Sequence, residues 1–573
     1  MLKREPWYVL HALVCAVGSI LLLGGLTWPG LVLWSIGWLV IVIRVSGLVR
    51  RGKVADTVGR WVSVRVMLAV GVIGPLLPGV SLPDWAAMTA VALYLVMVRT
   101  ETPLRTVSRF KGLRVSNIAS FHMPQTRSSE LGALALLQYL LLPAYMVFAI
   151  IDLPGWWWLV ALVPTAVVAV AIAVSGIRRR LLTDHYRQTL PQALERIGPR
   201  FVLYWDAPAR TKFQIAMWVP FLKRIGTPFI VVVRSDVAFG QAASVCEDVP
   251  VVLAKSMSDL DHCVVPSVTT AFYVNNAAKN THFVRYASIT HVQLLHGESD
   301  KAPSFNPVTA MYDKVYVAGQ AAIDRYHNNN VSIDPEKFEI VGRPQVETIA
   351  ITETAISEVT EPRTVLYAPT WRGYFADTSH SSLPYADEIV GELLDRGCRI
   401  ILRPHPYCRK DPEYRTILRE LTDRLDRHRD ETGIEHVHGQ TAEVEWTVVD
   451  CFNASDAMVS DVSSVVADYL YSRKPFAVVA GDQDLDSFTA EFPLARASYV
   501  MGEDRSLWPG QLGDMLGEDP LAETRQGLRT YYLGDHDPQD YADVFVRAAR
   551  KEVMRVGDPS TSAPSTSATS PEE

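Results

Sequence analysis

The spacing of apolar residues changes partway along the chain and divides it into two parts. Six long apolar segments come first, at residues 8–26, 31–48, 61–80, 85–98, 131–151 and 156–174. Most of them are long enough to cross a bilayer, which takes about 20 residues of helix. Residues 1–180 are therefore predicted to form a six-span α-helical membrane domain.

Basic residues occur in every second loop of this part. Lys and Arg lie within residues 3–4, 50–60, 99–127 and 178–180, whereas the loops 27–30, 81–84 and 152–155 contain neither. Because basic loops stay on the cytoplasmic side, both ends of the membrane domain are expected in the cytoplasm. Arg44 and Arg65 lie about one turn inside their segments, so both side chains are expected to snorkel to the cytoplasmic face.

After residue 180 the apolar runs become short. Residues 181–198 are predicted to form a linker helix. Short β-rich runs follow at 201–205, 228–233, 251–253, 271–274, 291–295, 314–317 and 338–341, and again at 364–368, 399–402, 457–459, 476–479 and 498–501. Because helical stretches such as 213–224 and 321–326 separate these runs, we predict the α/β class, with two Rossmann-like domains at 199–350 and 351–556 that face a cleft. The tail 557–573, rich in Ser, Thr and Pro, is predicted to be disordered.

The composition argues against several classes of protein. The 573 residues carry a formal net charge of −7, which does not suit a protein that coats nucleic acid. The six cysteines include no CxxC pair, so there is no zinc or disulfide signature and a reducing compartment is expected. Asp482, Asp484 and Asp486 alternate, but we interpret them as a solvated loop. Neither a bound metal nor another cofactor is expected.

Polar residues cluster where one predicted strand meets a helix. The run VSDVSSVVADYLYSRKPF places Ser460, Asp461, Ser463 and Ser464 between the strand and an amphipathic helix. Hydroxyls and unpaired N–H groups at a helix N-terminus attract phosphate. The same run also suits an ordinary capped helix. Three other motifs at strand ends favour the phosphate-binding interpretation.

The first of these motifs is THVQLLHGESDK, which follows an apolar strand. It delivers His296 and Gly297 to a loop, with Lys301 just beyond. A histidine at a strand's carboxyl end is suited to general-base catalysis, although it can equally be a hydrogen-bonded loop residue. Gly297 allows close approach of a ligand to the backbone. The carboxylates Glu298 and Asp300 are alternative proton acceptors.

The two remaining motifs belong to the second predicted sheet. TVLYAPTWRGY presents Thr370 and Arg372, and CRIILRPHPYC presents Arg403 and His405 between prolines. An arginine supplies a planar set of donors for phosphate. Each motif alone could be an incidental surface turn. Together the four motifs place two histidines, two arginines and three serines at the mouths of two sheets.

In order and spacing, HGESDK, YAPTWRG, RPHP and SDVSS followed by DYLYSRKPF resemble the CDP-glycerol glycerophosphotransferase family of teichoic-acid polymerases, over about residues 201–550. The resemblance implies a GT-B-type fold and transfer of a polyol phosphate from a CDP-activated donor at the cytoplasmic membrane surface. It implies that His296 is the base. It also implies that the donor phosphates lie near His405, Ser460, Asp461, Ser463 and Ser464.

Two features depart from this family. Its polymerases typically read HG-Thr-Pro-Leu-Lys at the first motif, where this chain has Glu298, Ser299 and Asp300 before Lys301. Familiar members also dock peripherally on the membrane, whereas six spans are predicted here. The expected partners are a CDP-polyol, a lipid-linked or polymer acceptor and membrane lipids. Two alternatives stay open: a GT-B glycosyltransferase that uses a nucleotide sugar, and a membrane export or scaffold protein that binds nucleotide without turnover.

Overall fold

The computed structural model describes residues 5–50, 61–76, 85–108, 112–119, 121, 128–298, 300, 302–373 and 380–555. Within it the chain forms two compact units, Met1–Leu190 and Pro191–Glu573. The predicted tail 557–573 and the basic loop 51–60 lie outside the described residues.

The first unit is helical and has a helix at each of the six predicted apolar segments. The elements are α1 (Glu5–Leu23), α2 (Thr27–Arg50), α3 (Val62–Gly71), α4 (Trp85–Ser108), the short strand β1 (Arg114–Ser116), α5 (Ser128–Ile150) and α6 (Gly155–Ile197). The third helix is shorter than predicted, because α3 ends at Gly71 and gives way to a 3₁₀ turn at Gly74–Leu76. Glycine permits close helix packing here: a Cβ on Gly18 of α1 would lie 2.9 Å from the backbone nitrogen of Trp34 in α2.

By length and composition, three of the described helices can cross a membrane. They contain Thr27–Leu48, Leu131–Ile150 and Gly155–Ile197, and two shorter apolar helices cover Trp7–Leu23 and Val62–Leu76. The first unit therefore has the composition of a membrane-associated unit. The count of six spans stays a prediction.

Arg65 does not snorkel to the surface of this unit, so that prediction is wrong. Its side chain on α3 is fully buried, and its Nη1 and Nη2 atoms lie 2.5 and 2.6 Å from the two carboxylate oxygens of Glu101. Nη1 also donates to Gln138 on α5 at 2.8 Å, and the guanidinium lies over the Tyr139 ring. The physical reason is that α4 continues to Ser108, which brings Glu101 within reach of Arg65. Arg44, in contrast, is exposed.

The second unit contains two parallel sheets. The strands of the first sheet are β2 (Phe201–Trp205), β3 (Phe229–Val233), β4 (Val251–Leu253), β5 (Thr270–Tyr273), β6 (Thr290–Gln293), β7 (Lys314–Val317) and β8 (Phe338–Ile340). Within this unit they pair in the order β4-β3-β2-β5-β6-β7-β8. This order contains the Rossmann arrangement, in which the strand order reverses between β2 and β5 while all the strands stay parallel. The strands are nearly continuous apolar runs because both faces of the sheet are covered.

Short helices join these strands: α7 (Phe213–Ala216), α8 (Val219–Arg224), α9 (Asp236–Ala243), α10 (Met257–Asp261), α11 (Thr281–Val284) and α12 (Gln320–Asn328). The sequence predicts one helix over 213–224, whereas the structure has two. They are separated at Met217 and Trp218, and Pro220 stands in the first turn of α8. Proline is favoured at the start of a helix because its missing N–H is not needed there.

The second sheet has five parallel strands in the order β10-β9-β11-β12-β13. They are β9 (Thr364–Ala368), β10 (Arg399–Leu402), β11 (Ala457–Ser460), β12 (Phe476–Val479) and β13 (Tyr499–Met501). The helices are α13 (Ala386–Asp395), α14 (Pro412–Thr432), α15 (Val448–Ala454), α16 (Ser464–Tyr469), α17 (Leu485–Glu491), α18 (Trp508–Leu516), α19 (Ala522–Leu533) and α20 (Tyr541–Val553). The predicted GT-B-like pair of α/β domains is therefore present.

Two predicted domain limits differ from the structure. The proposed linker 181–198 is not a separate helix, because α6 continues without a break to Ile197 and the boundary between the two units falls within it. The last helix, α20, packs on the first sheet rather than the second, where Phe545 lies beside Trp218 and the carbonyl of Val553 accepts a hydrogen bond from Thr269. α20 packs where its apolar face is buried, against the first sheet, although it follows the second sheet in the sequence.

Replacing Arg65 by alanine is expected to destabilise the first unit, because it leaves the Glu101 carboxylate buried without its cation. Removing one partner of a buried ion pair costs about 3–5 kcal/mol. The test is the thermal unfolding midpoint of the full chain in detergent. The matched control is Arg44→Ala, which removes an exposed arginine and is expected to change stability by less than about 0.5 kcal/mol. Equal midpoints for the two variants would contradict the prediction.

Candidate active site

A cavity of about 440 Å³ lies between the two α/β domains, at the carboxyl ends of their strands. Parallel sheets bind ligands at this edge, where the strand order reverses. In the second domain the reversal falls between β9 and β11, and both following loops line the cavity. The lining residues include Phe213, Met217, Leu295, His296, Gly297, Ser304, Arg343, Thr370, Arg403, His405, Ser463, Ser464 and Asp468.

The backbone that carries His296 is held in an uncommon conformation. Leu295 has a φ of 56°, which is unfavourable for a bulky residue and is maintained only by surrounding contacts. The buried Oε1 of Gln293 accepts hydrogen bonds from the N–H groups of Leu294 and Leu295, at 3.1 and 3.0 Å. The Leu295 carbonyl accepts one from the Trp218 indole at 2.7 Å. These bonds turn the chain after β6 so that His296 reaches the cavity.

The ring of His296 has a defined protonation pattern. Its Nδ1 atom lies 2.8 Å from the Val274 carbonyl oxygen. Because a carbonyl can only accept, Nδ1 carries the hydrogen and the neutral ring keeps its lone pair on Nε2. Burial lowers the pKa of His296, the bond to Val274 opposes this effect, and the charge of Arg343 lowers the pKa further. His296 is therefore neutral at physiological pH, as a general base must be.

His405 has the opposite pattern. Its Nδ1 accepts a hydrogen bond from the backbone N–H of Tyr407 at 3.2 Å. In the neutral ring the hydrogen is therefore on Nε2. The ring is exposed, lines the cavity and lies parallel to the Trp371 indole at a centroid distance of 6.2 Å. His405 can present a donor where His296 presents an acceptor.

The first and last motifs meet in the cavity. A Cβ built on Gly297 would lie 3.5 Å from the Cβ of Ser464. Ser464 and Ser463 both line the cavity, and the Ser463 hydroxyl also accepts a hydrogen bond from the N–H of Val465. The serines of the predicted phosphate site thus lie beside the loop of the predicted base.

Ser460 and Asp461 are in the interior and do not line the cavity. Both are fully buried. The Ser460 hydroxyl donates to the Ala368 carbonyl at 2.8 Å, and the Asp461 carboxylate accepts from the N–H groups of Thr370 and Ser382. Their polar atoms bond to the end of β9 and to the backbone of Thr370 and Ser382, which differs from the predicted contact with phosphate.

The two predicted arginines have different environments. Arg372 is exposed and does not line the cavity, because its guanidinium pairs with Glu413 at 2.5 Å and lies over the Tyr414 ring. Arg403 lines the cavity together with Thr370. Its Nη1 donates to the Trp446 carbonyl at 2.9 Å, so it also supports the segment before α15.

Arg343 is a cation that lines the cavity and lies outside the four sequence motifs. Its side chain is 6% exposed and forms two hydrogen bonds with the Asp468 carboxylate on α16. Arg343 lies two residues after the predicted strand 338–341, in the run VGRPQV, so a search for polar residues within a few positions of a strand end could have found it. Gln214 on α7 lies beside His296, with the Nε2 atoms of the two side chains 3.4 Å apart. The sequence motifs do not single out Gln214 or Asp468, because each lies within a helix, where no strand-end signal exists.

The carboxylates of the HGESDK motif are not in a position to replace His296. Glu298 and Asp300 both pair with the buried guanidinium of Arg325, each at 3.1 Å. Asp300 also accepts from the Tyr532 hydroxyl at 3.0 Å. Lys301, predicted to bind substrate, lies outside the described residues.

Among the described residues, no group of three or more His, Cys, Asp and Glu side chains is arranged to hold a metal ion. Asp482, Asp484 and Asp486 are exposed. Asp484 caps α17 through the N–H of Ser487, and Asp482 lies 3.5 Å from Arg505. The three residues are solvated as predicted, but they do not form a loop, because Asp484 and Asp486 belong to the start of α17.

Several solved structures share low similarity with this chain. The wall teichoic acid polymerase TagF has 14% sequence identity and a TM-score of 0.40, covering 66% of this chain and 94% of that chain. A UDP-N-acetylglucosamine 2-epimerase has 14% identity and a TM-score of 0.40, covering 62% and 95%. S. aureus MnaA with UDP has 14% identity and a TM-score of 0.41, covering 61% and 96%. No curated protein matches the chain.

Residues 241–492 match a family model described as CDP-Glycerol:Poly(glycerophosphate) glycerophosphotransferase. The match covers all four motifs that carry the predicted resemblance, from the His296 loop to the start of α16. It also includes Arg343 and Asp468, but not Gln214 or α20. The resemblance is confirmed, and the chain is a CDP-glycerol glycerophosphotransferase-like enzyme.

Proposed function

We propose that this protein is a membrane-bound transferase that moves a polyol phosphate, with glycerol phosphate as the first choice, from a CDP-activated donor to a hydroxyl of a lipid-linked or polymer acceptor. The reaction would serve synthesis of a teichoic-acid-like cell-wall polymer. The observation that carries the proposal is the pair of histidines in one cavity, since His296 offers a lone pair and His405 offers an N–H.

In the proposed reaction, Nε2 of His296 takes the proton from the acceptor hydroxyl. The acceptor oxygen then bonds to the β-phosphorus of the donor, the bond from that phosphorus to the bridging oxygen breaks, and CMP leaves. Phosphoryl transfer of this kind depends mainly on positioning and charge stabilisation. The groups available for this purpose are the Nε2–H of His405, the hydroxyls of Ser463 and Ser464, and the cation of Arg343.

The charges of the cavity suit binding of a diphosphate donor followed by release of CMP. Arg343 is partly neutralised by Asp468, and Arg403 also binds backbone carbonyls. Neither arginine is therefore an isolated cation, and neither is expected to hold CMP tightly after the reaction. Stabilisation that appears only in the transition state contributes to turnover, whereas equal binding of substrate and transition state does not.

We further propose that all six helical segments of the first unit span the membrane, with their basic loops and the α/β unit in the cytoplasm. Support comes from the three helices that are long and apolar enough to span, and from the alternation of Lys and Arg between the segments. A membrane anchor would keep the transferase at the surface that carries a lipid-linked acceptor.

CMP release from CDP-glycerol by the purified full-length protein tests the proposed function. We expect release that increases when acceptor is added and that is lost in His296→Ala. Release of UDP from a nucleotide sugar would instead favour the glycosyltransferase alternative. Binding of CDP-glycerol without CMP release in the presence of acceptor would favour the non-catalytic alternative.

The two histidines are expected to differ in what their loss changes. His296→Ala should lower kcat by about 10²–10⁴, the usual contribution of a general base, and leave donor affinity nearly unchanged. His405→Ala should lower donor affinity, because its N–H meets phosphate charge that is already present in the bound donor. It should also lower turnover, because negative charge on the departing CMP phosphate increases in the transition state. Steady-state kinetics and calorimetric titration with CDP-glycerol measure these effects. His327→Ala, an exposed histidine outside the cavity, is the control. Near-normal turnover of His296→Ala with acceptor would disprove the assignment.

Two serines of the SDVSS motif allow a matched comparison. Ser464→Ala removes a hydroxyl from the cavity and should weaken donor binding by about 1.5–3 kcal/mol at most, without lowering stability. Ser460→Ala removes a buried donor from the Ala368 carbonyl and should lower stability by about 1–3 kcal/mol, with donor affinity retained. Calorimetry and thermal unfolding separate the two effects. If Ser460→Ala weakens donor binding more than Ser464→Ala does, the proposed division of roles is wrong.

A further inference from the structure

Gln214 on α7 contacts His296 and has a fixed amide orientation. Its Oε1 accepts hydrogen bonds from the Trp205 indole N–H at 3.1 Å and from Nδ2 of Asn275 at 3.0 Å. An indole nitrogen can only donate, so the oxygen of the amide must face Trp205. The orientation of Asn275 is set in turn, because its Oδ1 accepts from the N–H of Ala277. The NH₂ group of Gln214 therefore points away from these donors.

This NH₂ group faces the reactive nitrogen of His296. The Nε2 atoms of Gln214 and His296 are 3.4 Å apart. Since Nδ1 of His296 donates to the Val274 carbonyl, its Nε2 is the lone-pair nitrogen of the neutral ring. An amide N–H directed at a lone pair is favourable. Directed at a protonated Nε2, the same group would place one N–H against another.

We propose that Gln214 is a positioning residue that keeps Nε2 of His296 unprotonated and directed into the cavity before the acceptor binds. The proposal rests on the role of His296 as the base. The 3.4 Å separation makes this a weak bond, so an acceptor hydroxyl can displace the amide and donate to Nε2 in its place. The amide cannot rotate to accept a proton, because Trp205 and Asn275 hold its oxygen.

One charged group near His296 acts in the same direction as Gln214. From the loop after β8, the charge of Arg343 lowers the pKa of His296, in addition to burial. The other charged or titratable side chains that line the cavity, among the described residues, are Arg403, His405 and Asp468. Phe213, beside Gln214 on α7, packs its uncharged ring edge-on against His296. Gln214 is thus the neutral polar side chain that meets Nε2 directly.

The test substitution is Gln214→Glu in the full-length protein. A carboxylate keeps an oxygen for Trp205 and Asn275 but replaces the NH₂ group by an acceptor, which favours the protonated ring. The pH dependence of carbethoxylation of His296 by diethyl pyrocarbonate, followed by peptide mass spectrometry without substrate, reports the unprotonated fraction. The midpoint is expected to rise by about one pH unit or more, as for a histidine that gains an adjacent carboxylate.

Two further variants complete the experiment. Gln539→Glu adds the same charge at an exposed position outside the cavity and should leave the midpoint unchanged. Gln214→Leu removes the opposing N–H without adding charge, should raise the midpoint by a smaller amount, and decides the question if Gln214→Glu does not fold. A midpoint equal to that of the unmodified protein in the folded Gln214 variant would overturn the proposal. The pH dependence of kcat/KM for CMP release, measured separately, tests whether His296 is the base. Its acid limb should move by the same amount as the carbethoxylation midpoint. A limb that stays fixed while the midpoint moves would refute the base assignment and leave the role of Gln214 in place.

Discussion

The loops of the second domain that face the cavity depend on one buried carboxylate. Asp461 follows β11 directly and is fully buried, and its oxygens accept the backbone N–H groups of Thr370 and Ser382. Ser460 adds a bond from β11 to the last residue of β9. Buried hydrogen bonds therefore hold the ends of β9 and β11 together at the point where the strand order reverses. A buried carboxylate without these donors would cost several kcal/mol, so the loop positions and the charge are maintained together.

Backbone groups also decide which ring nitrogen carries the hydrogen in each histidine of the cavity. His296 donates to a carbonyl that follows β5, and His405 accepts from an N–H within its own loop. Two chemically identical side chains thereby present a lone pair and an N–H group in the same cavity. Neither assignment depends on a charged partner. The bond of His296 depends on the ends of β5 and β6 being in register, which their parallel pairing supplies, whereas the bond of His405 is local to its loop.

The strands could be predicted from sequence because their signal is local. FIVVV at Phe229–Val233 is a continuous apolar run, β-branched after the phenylalanine, of the kind found in buried parallel strands. Residues after strands, such as His296 and Ser464, could be located for the same reason. Features that depend on distant partners could not. Arg65 and Glu101 are 36 positions apart, and α20 returns to a sheet that begins more than 300 residues earlier. Nothing local distinguishes Asp461, which faces the interior, from Ser464, which faces the cavity.

The departure of HGESDK from the family motif has a structural explanation in the side chains around Arg325. Glu298 and Asp300 are nearly buried and share this guanidinium, so changing either carboxylate alone would leave unbalanced charge in the interior. Asp300 also accepts hydrogen bonds from Tyr532 and from the N–H of Leu494, both packed with the second sheet. These contacts join the loop of His296 to the other domain. A carboxylate engaged with a guanidinium, a hydroxyl and an amide has little remaining capacity to take a proton from an acceptor. The two acidic residues therefore bear on how the domains are joined beside His296, and the proton transfer proposed for His296 does not pass to them.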